Sequence, residues 1–251
     1  SRSGEDLTTG DFNVFVGDYA GHSSTDLNNA VAIGHSALGG ADSDADGTVA
    51  IGYSALSSLT TGVRNVAVGN LALGYNDTGT DNTAIGWNAL SDQNVGGSGH
   101  AADSDYNTAI GSLSMSGAWA DAKSEYNVGV GGSTLAGAMN GANNNSALGY
   151  AALASVTTGD NNTAVGKDAL NVVTTGGHNI AVGGRCGQSL VDGDYNVFLG
   201  EFAGYSTTSV NNAVFIGQSA GAGADVSADG SIGIGLSALG ALSSGARNLA
   251  I

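Results

Sequence analysis

Asn65-Val66-Ala67-Val68-Gly69-Asn70-Leu71-Ala72-Leu73 is answered 17 residues later by Asn82-Thr83-Ala84-Ile85-Gly86-Trp87-Asn88-Ala89-Leu90. A phrase rewritten at a short fixed period is the mark of a solenoid, and it outranks any local assignment of helix or strand. With the glycine that closes each apolar run as anchor, the series is Gly17, Gly34, Gly52, Gly69, Gly86, Gly111, Gly131, Gly149, Gly166, Gly183, Gly200, Gly217 and Gly235. The steps are 17 or 18 residues, apart from 25 between Gly86 and Gly111 and 20 between Gly111 and Gly131. The next anchor would fall just past Ile251, which predicts a chain that belongs to a longer fibre.

The residue before the anchor is always aliphatic, as in Val68, Ile85 and Val165, and the residue three before it is mostly β-branched, as in Val66, Thr83 and Thr163. Two residues apart in a strand, they share a face. The expectation is that this Val/Ile face is the buried one. The small residue between them, such as Ala67 or Ala84, would then face away. Leu usually stands four after the anchor (Leu56, Leu73, Leu90, Leu170). Where Phe replaces the small residue (Phe15, Phe198, Phe215), that Leu becomes Gly (Gly21, Gly204, Gly221). Volume-conserving exchange suits two positions in one packed layer. The two inferences pull apart, because the exchange puts the small residue inside.

Asn stands four before the anchor in most units, for example Asn65, Asn82, Asn162 and Asn179. Its amide suits a turn and can stack into a ladder, so it reads as a structural signal. The anchor glycine implies a positive φ or a close backbone approach.

Together these features predict an all-β parallel β-solenoid, or β-roll, of about fourteen 17-residue coils over residues 1–251. Each coil would contribute two short strands facing across a thin aliphatic core. At the spacing of paired strands this gives a rod of roughly 65 Å. Residues 7–69 and 190–251 also match at an offset of 183, so a ten-coil unit has been duplicated. The long steps carry insertions near 91–105 and 116–125, and insertions leave a solenoid as loops, often on its binding face.

Composition narrows the classes of function. The chain has 43 Gly and no Pro, which fits backbone paired almost throughout. Its net charge of −16, with six Lys plus Arg, argues against nucleic acid and anionic membranes as partners. No apolar run is long enough to span a bilayer. The single cysteine, Cys186, occupies a slot that is Ala elsewhere and reads as a buried thiol.

Candidate sites are few. The loops hold His100, Trp119 and Lys123; Trp119 is either a sugar- or protein-contact residue or a cover for the loop base. Asp42, Asp44 and Asp46, followed by Gly47, have the alternate-oxygen spacing of a calcium loop, but Tyr53 stands where a bidentate Glu would close it. A solvated acidic turn is the competing reading. Thr-Thr-Gly links such as Thr157-Thr158-Gly159 raise an ice-binding reading. No nucleophile, acid–base or zinc spacing stands out, so no catalysis and no cofactor other than Ca²⁺ is expected.

The phrase N-[TV]-A-[IV]-G-x-x-A-L, followed by T-T-G, resembles the repeats of bacteriophage tail-fibre and tail-spike proteins. It is also similar to the shorter repeats in the heads of trimeric autotransporter adhesins. The resemblance covers essentially the whole chain. It implies a homotrimer or filament at an extracellular or virion surface, non-enzymatic, serving attachment to a host-surface glycan or protein receptor. The alternative is an ice-binding or calcium-dependent surface-binding solenoid.

Overall fold

A computed structural model describes residues 2–40, 45–91, 104–119, 122–223, 229–242 and 244–251. The chain divides into two compact units, Ser1–Asn127 and Val128–Ile251. Each is a parallel β-solenoid with one short strand per turn of about 17 residues. The first carries β1 (Val14–Val16), β2 (Val31–Ile33), β3 (Val49–Ile51), β4 (Val66–Val68), β5 (Thr83–Ile85) and β6 (Thr108–Ile110). The second carries β7 (Val128–Val130), β8 (Ser146–Leu148), β9 (Thr163–Val165), β10 (Ile180–Val182), β11 (Val197–Leu199), β12 (Val214–Ile216), β13 (Ile232–Ile234) and β14 (Leu249–Ala250). Within each unit consecutive strands pair in parallel, and the register keeps equal repeat positions together. Val66, Ala67 and Val68 face Thr83, Ala84 and Ile85, and Thr163, Ala164 and Val165 face Ile180, Ala181 and Val182.

The inside and outside of the strand are the reverse of the expectation. Ala32, Ala50, Ala67, Ala84, Ala164 and Ala181 are fully buried, whereas the Val, Ile, Leu and Thr on either side are half-buried or exposed in all fourteen strands. The core is built from columns of the small strand residue, the Ala three after the anchor and the Leu four after it, with a further column at Leu59, Val156, Val173 and Leu190. Opposite the corner Leu, the strand position of so narrow a turn has room for Ala but not for a branched side chain. The layer inferred from the Phe/Gly exchange is therefore the real one. A Cβ on Gly21 would lie 2.7 Å from the Phe15 ring, and one on Gly204 2.8 Å from that of Phe198.

The exchange also reaches one coil further than the sequence suggested. A Cβ on Gly187 would meet Phe198 at 2.7 Å, and one on Gly4 would meet Phe15 at 2.8 Å. The Phe15 and Phe198 rings thus lean over the Leu slot of the preceding coil as well as their own. Phe198 and Phe215, stacked with centroids 5.7 Å apart, are served by three glycines, Gly187, Gly204 and Gly221.

The second strand expected in each coil is absent among the described residues. The Ala-Leu run is instead a corner, because it holds two left-handed residues, such as Leu71 (φ 56°) and Leu73 (φ 49°) or Asp168 (φ 55°) and Leu170 (φ 48°). A third stands before the strand, for example Arg64 (φ 57°) or Asn161 (φ 58°). Such residues are individually unfavourable by about 1–3 kcal/mol. They persist because the coil-to-coil ladder fixes them: Leu73 N–H donates to Ala89 O and Leu170 N–H to Cys186 O, each at 3.0 Å.

The asparagine column completes the scaffold. Asn162, Asn179 and Asn196 are fully buried. The Oδ1 of Asn162 accepts from the backbone N–H of Asn179 at 3.1 Å, and its Nδ2 donates to Gly176 O at 2.8 Å. The same pair of bonds recurs from Asn65 and Asn82 in the first unit. Each amide therefore ties its coil to the next at two points. The anchor glycine meets both requirements foreseen for it: Gly17 has φ 131°, and its Cβ would fall 2.6 Å from Gly34 O.

Candidate functional site

Because Ala points inward, the sheet turns its branched residues outward. In the first unit the outer face is Val14, Val31, Val49, Val66, Thr83 and Thr108 in one column, with Val16, Ile33, Ile51, Val68, Ile85 and Ile110 in the other. In the second, Val130, Leu148, Val165, Val182, Leu199, Ile216 and Ile234 form the latter column. No outward position of any strand carries a charge, in a chain of net charge −16. Leu148 remains 51 % exposed and Val16 56 %. Seven strands three residues wide and the two-residue β14 make a largely apolar patch, interrupted at Ser146 and Thr163, on the order of 400 Å² in the second unit, from strand spacing and rise. Contiguous apolar patches of that size mark interaction surfaces. Parallel sheets are ordinarily covered on both faces, and here the coil covers only one.

At the next corner, one residue after the anchor, a column of rings stands in the first unit. His35 and Tyr53 stack with centroids 5.4 Å apart and planes 12° from parallel. Tyr19 packs 5.8 Å from His35, and the Arg2 guanidinium lies 5.2 Å from the Tyr19 ring. Trp87 follows two coils beyond Tyr53 and is 51 % exposed. Other ring pairs, Tyr106 with Tyr126 and His178 with Tyr195, stack at 5.0 and 4.6 Å on the left-handed residue before the strand.

The residues singled out in the sequence are dispersed. Trp119 is only 4 % exposed, so it does not present its ring as a contact residue. It stands eight after its anchor, on the side of the coil lined elsewhere by Leu59, and its burial fits the reading as cover for the loop base. Lys123 is half-exposed, with Nζ 3.2 Å from Asp105 and 3.8 Å from Glu125, so it is paired with both carboxylates. His100 lies outside the described residues, as do Asp42 and Asp44. Asp46 is described and is engaged: its Oδ1 accepts from the backbone N–H of Asn28 at 2.7 Å. Asp105, Asp160 and Asp194 hold the preceding coil in the same way, through Thr80, Asn143 and Gly177. The acidic column is thus a backbone clamp.

The first hydroxyl of each Thr-Thr-Gly link is likewise occupied as a donor. Thr157 Oγ1 donates to Thr174 O at 3.1 Å and Thr60 Oγ1 to Asp77 O at 2.9 Å. Burial pushes the Cys186 thiol up to about 12, so it is a neutral core group. Arg64 and Asp81 form a two-bond pair at 2.7 Å on the surface, and the Arg64 hydrogen bond holds the Asp81 carboxyl below its ordinary range. Sequence reasoning missed the outer sheet face and Trp87. The uncharged, branched outward positions are visible in the sequence, but hydropathy places them in the core. No protein-family model, curated protein or solved structure matches the chain.

Proposed function

We propose that this chain is a non-enzymatic structural and adhesive element, the shaft or head of an extracellular or virion-borne fibre, and that it assembles with copies of itself through the outer sheet face. The bare, uncharged Val/Ile face carries this reading. A solvated sheet face normally bears polar residues, and this one bears none with charge. Only another surface with the same coil period can match its side-chain rows along their length, and a second copy has that period by construction. The rest of a surface with net charge −16 repels a second copy, so association is steered to the neutral face. The likeness to trimeric fibre repeats favours three chains around one axis.

The test is the solution mass together with particle images of the wild-type chain and of Val182→Lys. Val182 is 41 % exposed, so the added charge is tolerated in a single chain but not within a closed apolar interface. A wild-type trimer or filament that dissociates with Val182→Lys is the expected result. A wild-type monomer at micromolar concentration refutes self-assembly, and a monomer with thermal hysteresis would reassign the face to ice.

A further inference from the structure

We propose that the column of rings at the corner after the anchor glycine, centred on Tyr53 and Trp87, is a binding strip for a neutral, extended glycan chain. Four consecutive coils place His35, Tyr53, Asn70 and Trp87 at this position, and all four are exposed. The backbone holds them at the coil period: Ser54 N–H donates to His35 O, Leu71 N–H to Tyr53 O and Asn88 N–H to Asn70 O, at 2.9 to 3.0 Å. Tyr53 and Trp87 are therefore about 10 Å apart along the stack, two coil spacings, comparable with the length of a disaccharide.

Core packing does not require these rings, and only His35 and Tyr53 are stacked on one another. The core is filled by Ala and Leu from other columns, and Tyr53 and Trp87 keep 53 % and 51 % of their surface in solvent. Large aromatic bodies with a polar tip, left exposed, suit recognition. The strip is also neutral. From His35 to Trp87 its side chains, and those of Ser36, Ser54, Leu71 and Asn88 beside them, carry no fixed charge. A pyranose presents C–H groups on its face and hydroxyls on its edge. The Tyr53 face turned away from His35 and the Trp87 ring two coils on can each take a sugar face, and the exposed Asn70 amide between them can take hydroxyls. A polyanion would instead need cations, and the strip between His35 and Trp87 supplies none.

The chain has two tryptophans, and Trp119 is buried, so Trp119→Phe leaves Trp87 as the sole reporter. The full chain with that substitution is titrated with hexasaccharides of β-1,4-linked glucose and of β-1,4-linked N-acetylglucosamine while Trp87 emission is followed. Calorimetry on the unsubstituted chain repeats the measurement independently of Trp119. A saturable response to at least one sugar is expected, weakened roughly tenfold by Tyr53→Ala and lost in calorimetry with Trp87→Ala. No response to either sugar, binding indifferent to both substitutions, or binding of dextran sulfate alone overturns the proposal. Solution mass is read on the same samples. Trp87→Ala leaves it unchanged, so failure of glycan binding and failure of self-assembly are separate results.

Discussion

Two stretches of the second unit solve the same packing problem differently. Around Thr163–Leu170 the inward strand residue is Ala164, and the slot four after the anchor is Leu170, forced into a left-handed conformation at φ 48°. Around Val197–Gly221 the inward residues are Phe198 and Phe215, and the slots are Gly204 (φ 62°) and Gly221 (φ 63°). The backbone is the same in both. In the first stretch the bulk comes from the corner and carries backbone strain; in the second it comes from the strand, and glycine relieves the corner. The coil therefore specifies a volume for its core layer, not the residue that must supply it.

The sharpest way to break this comparison is to move bulk between the two positions. Phe198→Ala is expected to cost about 3–5 kcal/mol, because glycines on both sides cannot fill the space. Adding Gly187→Leu should recover a substantial part. Gly204→Leu should recover a comparable part, because the Phe198 ring lies over both slots. Thermal and urea melts of the full chain check this; rescue by Gly204→Leu alone would mean that the ring serves only its own coil.

Next in size is the amide column shared by both stretches. Asn162→Ala leaves the Asn179 N–H and the Gly176 carbonyl without their buried partner, an expected loss of about 2 kcal/mol in the same melts. A loss below a few tenths would show that water replaces the amide and that the column is not a tie between coils.

The smallest effect concerns Cys186, next to Gly187 at the border of the Phe stretch. Its raised pKa means that the fold disfavours the thiolate. The contribution to stability is whole below about pH 8.5, where the unfolded thiol is also neutral, and declines as pH rises towards 12. A thiol reagent at pH 8 should label the chain only in denaturant. Prompt labelling of the folded chain would show that the Phe stretch opens locally while the Ala/Leu stretch stays shut.

The sequence made the period, the anchor, the parallel register and the asparagine column legible, because each follows from spacing and residue type alone. Which side of the strand is inside was not legible from period two. Alternation says that Val66 and Val68 share a face, but not which face. Hydropathy favoured the branched residues, whereas the geometry of a narrow turn favours Ala67 against Leu73. The Phe/Gly exchange measured volume directly and pointed the right way. The missing second strand has a similar cause: Asn70-Leu71-Ala72-Leu73 reads as strand by composition, and only the left-handed conformations of Leu71 and Leu73 make it a corner. The ring strip depends on residues 17 or 18 apart becoming neighbours, which no local motif encodes. The sequence-level search for a contact aromatic went to the inserted loop and Trp119, while the exposed Trp87 lies in the regular repeat.

The lean of each phenylalanine across two turns sets a rule for splicing. In the Ala/Leu stretch one turn is a complete cassette that can be deleted or copied with its neighbours undisturbed. A turn carrying phenylalanine cannot be moved alone, since it needs glycine in its own corner and in the one before it. The smallest portable cassette there is two turns, and a run of n phenylalanines travels with n + 1 glycines, as Phe15 does with Gly4 and Gly21. Lengthening such a chain by recombination is thus permitted at some joints and forbidden at others.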